Sequence, residues 1–191
     1  MARSARQLYS FDSYVEMEAS STIKHEFLDG EVWAMAGGSV EHAAVAANIV
    51  GLLGQGLAGR PCRVFPSDLR IRVKATGLAT YPDVSVICDR VQLDPDDRKG
   101  HTAINPTLLV EVLSPSTEVY DRGEKLAHYK RIESLREIVL VAHDERRIDL
   151  WRRTKSSWTQ LTVGPGEAAR LSSLHDIELP VDDVYFDPLA T

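Results

Sequence analysis

Apolar residues recur along the chain at two spacings, every third or fourth position in some segments and every second position in others. The first spacing is typical of helices, because it places apolar side chains on one face. It predicts helices at Phe11–Ala19 behind a Ser10 cap, from the Ser39 cap to about Leu57, and from about Asp121 to Arg131, where Asp121 and Glu124 have capping-box spacing.

The second spacing, together with uniformly apolar runs, predicts strands. These are His25–Leu28 and Glu31–Ala36 around an Asp29-Gly30 hairpin turn, then Cys62–Phe65, Asp68–Val73, Pro82–Ile87, Leu108–Leu113, Glu137–Ala142, Ile148–Arg152 and Trp158–Val163. The polar run Leu93–Asn105 predicts a loop, and the acidic segment after Gly164 predicts an edge strand or a packing tail. The order indicates a mixed α and β fold, and we expect a single domain over residues 1–191, since no repeat or linker divides the chain.

Two of the most apolar predicted strands each contain one carboxylate, Asp83 in the first and Glu111 in the second. An ionised carboxylate costs several kcal/mol to bury without partners, so proteins place one in a core strand mainly to bind a metal, to pair with a cation or to do chemistry. For one such residue a structural ion pair is at least as good an explanation. Two carboxylates on neighbouring strands, with Lys125 close behind, favour a functional site.

The spacing of these residues predicts that they meet at one end of a sheet. Glu111 follows Asp83 by 28 residues, and adjacent strands would bring the two carboxylates together. Their hard oxygens suit Mg²⁺ or Mn²⁺ better than zinc. Lys125 lies 14 residues after Glu111, beyond a Ser114–Thr117 turn that could fold it back over the strand end. An ammonium there can orient a water or stabilise charge on a phosphorane, which favours phosphodiester hydrolysis.

The net charge of −6, from 22 basic and 28 acidic residues, argues at first sight against a nucleic-acid partner, because phosphate binding draws on Lys and Arg. From Pro165 onward, however, there are six acids and one base, so the first 164 residues are nearly neutral, with 21 bases and 22 acids. Arg70, Arg72 and Lys74 alternate with apolar residues and would share one strand face. They are candidate nucleic-acid contacts, although a solvated sheet face explains the pattern about equally well.

The two cysteines, Cys62 and Cys88, supply by themselves neither a disulfide framework nor a four-ligand zinc site. Both lie in apolar, strand-like segments, which favours a reduced, cytoplasmic compartment. The N-terminal segment lacks the apolar stretch of a signal peptide, and no apolar run approaches the roughly 20 residues of a membrane span. We therefore expect a soluble cytoplasmic protein.

Several motifs in the chain resemble those of the Uma2 family, also called DUF820, within the PD-(D/E)XK nuclease-like superfamily. They are Pro82-Asp83-Val84, the run Leu109–Thr117 around Glu111, then Asp121, Lys125-Leu126 and Tyr129. Upstream, His25–Glu31 looks like the family's N-terminal motif, and Ser39 with His42 looks like its Ser-x-x-His helix start. The four motifs occur in the family's order and cover roughly residues 10 to 150.

The resemblance implies a restriction-endonuclease-like core of α/β (α+β) class, with a central mixed β-sheet flanked by helices, an N-terminal β-hairpin and a C-terminal β extension. The core would occupy about residues 10–150, with strands and an acidic tail over 151–191. The resemblance also implies a metal-dependent endonuclease acting on DNA, with a homodimer as one candidate assembly. Trp151, Trp158 and Tyr185 could supply a dimer contact, and core packing explains them equally well.

The resemblance assigns a role to each candidate site residue. Asp83 and Glu111 would bind Mg²⁺ or Mn²⁺, and Lys125 would be the charged group near the scissile phosphate. Glu26 would be a further ligand, or a base acting through water. His42 would touch the site from its helix and is a further candidate nucleic-acid contact.

One position departs from the superfamily pattern, in which a lysine stands two residues after the second acid. This chain has Leu113 there, and Lys125 on the following helix would be the substitute. Tyr129, one turn later, could equally pack in the core. The sequence leaves two alternatives open, namely a catalytically inactive nuclease fold that binds nucleic acid or protein, and a metal phosphohydrolase for nucleotides.

Overall fold

Thirteen strands and five α-helical segments lie within residues 8–35 and 37–189, the residues that this computed structural model describes. The helices are α1 (Phe11–Ser20), α2 (Val40–Gly56), α3 (Glu118–Tyr120), α4 (Leu126–Tyr129) and α5 (Val181–Val184). The strands are β1 (His25–Leu28), β2 (Glu31–Ala34), β3 (Cys62–Pro66), β4 (Arg70–Arg72), β5 (Ala79–Thr80), β6 (Val84–Cys88), β7 (Thr102–Ala103), β8 (Leu108–Val112), β9 (Glu137–Val141), β10 (Ile148–Arg153), β11 (Trp158–Val163), β12 (Ala168–Leu171) and β13 (Ile177–Pro180).

In the described residues, six strands form a central mixed sheet in the order β11-β10-β9-β8-β6-β3. β8 and β9 are parallel, and the other neighbours are antiparallel. Val110 and Val112 of β8 pack in the core that contains α2, whereas Leu109 and Leu113 pack in the core that contains α4. Because both faces are covered, the strand sequence is a continuous apolar run, and Glu111 shares the face of Leu109.

Five short strands form a second sheet in the order β2-β1-β5-β4-β7, and α1 packs on its hairpin within the described residues. Ser10 caps α1 by accepting a hydrogen bond from the Ser13 N–H, as predicted. Asp29 and Gly30 both have positive φ, 51° and 87°, which suits a two-residue hairpin turn. The predicted hairpin is confirmed, except that Ala36 lies outside the described residues.

Helix α2 and the C-terminal segment cover one face of the central sheet. Ser39 caps α2 as predicted, and Ile49 and Leu53 are fully buried against the sheet. The acidic segment after Gly164 forms the β12–β13 hairpin and α5, whose Leu179 and Val184 join the same core. The prediction of a packing tail is thus confirmed, while its two strands pair with each other and not with the edge of the central sheet.

The third predicted helix begins at Glu118, three residues before Asp121, so the predicted capping box is wrong. The Ser114 carbonyl accepts hydrogen bonds from the Thr117 and Glu118 N–H groups and starts the helix there. A π-helical turn, Asp121–Lys125, then joins α3 to α4. This wider turn carries both Asp121 and Lys125 into the buried interior, a placement often found at functional sites.

Cys62 and Cys88 form a disulfide, so the prediction of two reduced thiols is wrong. The antiparallel register of β3 and β6 places the two residues directly opposite each other, with Cα atoms 3.9 Å apart. The inference of a reduced compartment therefore loses its support. None of the helices in residues 8–35 and 37–189 combines the length and the apolar content needed to cross a bilayer.

Candidate active site

Asp83 and Glu111 come together at one end of the central sheet. β6 and β8 are antiparallel neighbours with Val84 opposite Val110, so the residue before β6 lies beside the end of β8. Asp83 occupies a bend one residue before β6 rather than the strand itself. Its Oδ2 accepts a hydrogen bond from the Val112 N–H at 2.8 Å. The main chain of one strand thus fixes the carboxylate of the other.

Lys125 lies among three carboxylates at this end of the sheet. Its Nζ is 3.0 Å from Glu111 Oε1, 3.3 Å from Glu26 Oε1 and 3.3 Å from Asp121 Oδ1. All four side chains are at most 6% exposed. The structure therefore brings Lys125 to Glu111 and Glu26, the residues that the sequence grouped with it.

Glu26 reaches the site from the N-terminal hairpin. β1 pairs with β5, and the Thr80 hydroxyl donates a hydrogen bond to Glu26 Oε1. Glu26 Oε2, in contrast, is buried without a hydrogen-bond partner in the described part of the chain. Leaving such an atom unpaired costs about 1–3 kcal/mol or more. This oxygen therefore marks a place where a cation or a water would be held.

Two residues of the cluster lie outside the set that the sequence predicts as catalytic. Tyr129 is buried, and its hydroxyl donates a hydrogen bond to Glu111 Oε1, so it orients that carboxylate as well as packing in the core. Asp121 is a further buried carboxylate, where the sequence indicated a helix cap. The i,i+4 spacing of Asp121 and Lys125 is the signal that could have placed them together.

Asp83 and His42 form the more accessible side of the site. Their side chains are 16% and 20% exposed, and His42 Nε2 lies 3.3 Å from Asp83 Oδ2. Helix α2 positions the histidine, since its Ser39 cap accepts a hydrogen bond from the His42 N–H at 3.2 Å. These two side chains are therefore more accessible to solvent than Lys125 and the carboxylates around it.

The ionisable groups of the cluster favour bound protons. Burial raises the pKa of Glu111 to about 8, and Asp83 and Asp121 add to the effect against the opposing ammonium of Lys125. Burial lowers the pKa of Lys125, but Glu111 and other neighbours outweigh it, so this pKa lies well above its usual value. A hydrogen bond to Asp83 raises the pKa of His42. Burial thus disfavours the charged form of Glu111 even beside Lys125, and a bound cation would offset that cost.

The donor chemistry of the cluster fits a hard divalent cation. Carboxylate oxygens are the ligands that Mg²⁺ and Mn²⁺ prefer, and the buried Glu26 Oε2 lacks a partner. Within the ranges that the structure describes, however, no three His, Cys, Asp or Glu side chains are arranged to hold one metal ion. The Lys125 ammonium lies among the carboxylates instead. Asp83 and Glu111 are the residues that would hold such an ion.

The three cations predicted to share a strand face have different environments. Arg70 is 3% exposed, and its Nη2 lies 2.9 Å from Asp97 Oδ2, so burial corrects its prediction as a nucleic-acid contact. Arg72 and Lys74 remain closer to the surface. Each pairs with Asp94, at 2.9 Å and 3.0 Å, so their charge is largely compensated within the protein.

One family model matches most of the chain. The model of the Uma2 family, described as "Putative restriction endonuclease", matches residues 11–182. Two relatives come from Synechocystis sp. (strain ATCC 27184 / PCC 6803 / Kazusa). "Uncharacterized protein slr1290" is 37% identical over 176 residues, 91% of this chain and 90% of the relative. "Uncharacterized protein sll1609" is 30% identical over 158 residues, 83% of this chain and 88% of the relative.

A solved structure shows the same fold. The crystal structure of "a putative nuclease belonging to DUF820 from Anabaena variabilis ATCC 29413" matches with a TM-score of 0.73 at 18% sequence identity. The match covers 93% of this chain and 97% of that chain. The predicted fold, a mixed sheet flanked by helices in a nuclease-like arrangement, is confirmed.

Proposed function

Because the chain belongs to the Uma2 family of restriction-endonuclease-like proteins, we propose that it is a metal-dependent endonuclease that hydrolyses phosphodiester bonds of DNA. The observation that carries the proposal is the buried Lys125 ammonium, 3.0 Å from Glu111 and 3.3 Å from Glu26, beside Asp83 at the end of the neighbouring strand. Carboxylates around a lysine supply both a cation site and a positive charge for a phosphate.

Each residue has one task in the proposed reaction. Asp83 and Glu111 would hold Mg²⁺ or Mn²⁺, and such an ion would supply Lewis-acid chemistry at this site, namely polarisation of a phosphoryl oxygen and a lower pKa of a bound water. Lys125 stays charged at neutral pH and stabilises the charge that develops on the phosphoryl oxygens. Tyr129 holds Glu111 in one orientation through its hydroxyl. Glu26 Oε2, which has no partner within the described residues, accepts the proton of the attacking water.

Nicking of supercoiled plasmid DNA tests the proposal. We expect nicking with Mg²⁺ or Mn²⁺ that EDTA abolishes, and a loss of at least about 100-fold in each of Asp83→Asn and Glu111→Gln. Glu124→Gln is the matched control, because this carboxylate precedes Lys125 but is 64% exposed, and it should cleave like the wild type. Circular dichroism of each variant verifies that the fold is retained.

Three outcomes would contradict the proposal. Cleavage that survives both Asp83→Asn and Glu111→Gln would rule out this site. No cleavage with any divalent ion, together with DNA binding that ignores both substitutions, would indicate an inactive nuclease fold that binds nucleic acid. Release of free phosphate from nucleotides without plasmid nicking would indicate a phosphohydrolase.

A further inference from the structure

A cavity of about 1390 Å³ lies at the end of the central sheet opposite to the carboxylate cluster. Its walls include Cys88, where β6 ends, and Thr107, just before β8 begins. Asp83 and Glu111 are at the other ends of the same two strands. At about 3.3 Å per residue, the strand from Asp83 to Cys88 separates the two places by about 16 Å. The cavity is therefore separate from the proposed active site.

Cationic side chains dominate the walls of this basic cavity. Seven lining side chains are cationic and three are acidic, in a chain whose net charge is −6. One of the acids, Glu137, is already satisfied, because it accepts hydrogen bonds from Arg152 at 2.8 Å and from the Ser173 N–H at 3.1 Å. Arg72 and Lys74 are likewise compensated by Asp94, so the uncompensated positive charge of the cavity comes from its other arginines.

Several arginines of the basic cavity have no carboxylate partner. Among the described residues, Arg90, Arg131 and Arg136 form no ion pair. Arg153 donates to main-chain carbonyls, including Leu135 O at 2.7 Å, which leave its charge uncompensated. Burial and then the neighbouring Arg136 lower the pKa of Arg153. Like charges that the fold holds together are stabilised by a bound anion.

The chemistry of the walls selects phosphate groups on an extended chain. A guanidinium presents parallel N–H donors that match the oxygens of a phosphate. None of the lining residues is aromatic, so the walls offer no face on which a base could stack. The volume also exceeds the roughly 300–1,000 Å³ of ordinary small-molecule sites, which favours a polyanion over a single nucleotide.

We propose that the basic cavity binds the phosphodiester backbone of DNA, as a contact remote from the proposed active site. The choice of DNA as the polyanion rests on the proposed function, whereas the choice of a phosphate backbone rests on the cavity. Contact with the backbone is independent of base sequence. The basic cavity would hold one part of a DNA molecule while the carboxylate cluster cleaves another part of that DNA.

Fluorescence anisotropy with a labelled DNA duplex in EDTA measures binding without cleavage. The double variant Arg131→Gln/Arg136→Gln removes two exposed charges without breaking an ion pair, so it should fold, as thermal unfolding will verify. We expect the affinity to fall about tenfold or more at about 100 mM salt, and the slope of log K against log salt to become shallower by about 1.8.

The control variant Arg98→Gln/Lys99→Gln removes two charges from an exposed turn outside the cavity, and it should stay within about threefold of the wild type. In the nicking assay, loss of Arg131 and Arg136 should raise KM and leave kcat unchanged. A structural defect would lower kcat as well.

The two proposals can fail independently. If the wild type does not cleave DNA, the proposed function fails, while the binding measurements still test the cavity. If the Arg131/Arg136 double variant binds the duplex with the same affinity and the same salt dependence as the wild type, the cavity proposal is overturned, even if cleavage depends on Asp83. A deoxynucleoside monophosphate that displaces the duplex at equal phosphate concentration would also overturn it, because the cavity would then bind single phosphates.

Discussion

The two ends of the central sheet carry charge of opposite sign in opposite surroundings. At one end, carboxylates surround Lys125, and most of the charged atoms are buried and held by specific hydrogen bonds. At the other end, arginines such as Arg131 and Arg136 face an open cavity and form no ion pair within the described residues. The same strands, β6 and β8, connect the two ends.

This difference in burial separates two kinds of consequence. Buried charges interact strongly because little water screens them, so a change in the carboxylate cluster should alter stability and chemistry together. Exposed charges are screened by salt, so a change in the basic cavity should alter ligand affinity and leave the folded state nearly unaffected. The predictions below test that separation.

Lys125→Met should have the largest effect, because it leaves three carboxylates buried without their cation. We expect the free energy of unfolding at pH 8 to fall by about 3–5 kcal/mol, with complete loss of cleavage. Urea unfolding followed by circular dichroism measures the first quantity. Lys130→Met is the matched control, since its ammonium lies 3.4 Å from the centre of the Trp151 ring and contributes about 1 kcal/mol. Equal losses in both variants would remove the distinction between a fully buried ammonium and a partly exposed one.

Removal of the disulfide should have the next largest effect. Cys62→Ser/Cys88→Ser opens a link between residues 26 positions apart, which should lower the free energy of unfolding by about 3 kcal/mol. Thiol titration of the unfolded, unreduced wild type should detect no free thiol. Because Cys88 lines the basic cavity, duplex affinity should change more than kcat. Two titratable thiols in the wild type would contradict the link itself.

The stability of the metal-free protein should fall as pH rises. The pKa of Glu111 is about 8 in the folded state, above its ordinary value, so between pH 5.5 and 7.5 the native state binds more protons than the unfolded state. The free energy of unfolding should therefore fall by about 2–3 kcal/mol over that range. Glu111→Gln should flatten the dependence of the unfolding free energy on pH. Glu137→Gln, at the cavity end of the sheet, should leave that dependence unchanged. An unchanged slope in Glu111→Gln would show that other groups titrate there.

Lys74→Gln should have the smallest effect. Lys74 lines the basic cavity, but its ammonium already pairs with Asp94 at 3.0 Å and is 42% exposed. We expect duplex affinity in the anisotropy assay to fall by less than about twofold. A loss as large as that of the Arg131/Arg136 double variant would mean that compensated and uncompensated cations contribute alike.

Much of the fold could be predicted because its signals are local. The Ser10 and Ser39 caps and the Asp29-Gly30 turn depend only on neighbouring residues, and the apolar runs of β8 and β9 follow from their burial on both faces. Local signals do not predict features that depend on residues distant in the sequence. β7 lies inside the predicted loop Leu93–Asn105, because two residues form a strand there only through pairing with β4.

The candidate site divides in the same way. The cost of burying charge, together with the family resemblance, pointed to Asp83, Glu111 and Lys125, which lie together in the structure, while their catalytic roles stay predictions. The alternation of residues along β4 shows that Arg70 shares a face with Arg72, but it does not show which part of that face is covered. In the structure Arg70 is buried and pairs with Asp97. The opposing positions of Cys62 and Cys88 likewise follow from register alone.

The π turn at Asp121–Lys125 makes this helix sensitive to the deletion of a single residue. A π turn contains one residue more than an α-helical turn, so a one-codon deletion, for example of Gly123, would restore regular winding. Such a deletion would bring Asp121 and Lys125 from i,i+4 to i,i+3 spacing and change how the two side chains are placed around the helix axis. A Cβ atom at Gly123 would have no crowding neighbour among the described residues, so a substitution there, unlike a deletion, should leave the π turn and the position of Lys125 unchanged.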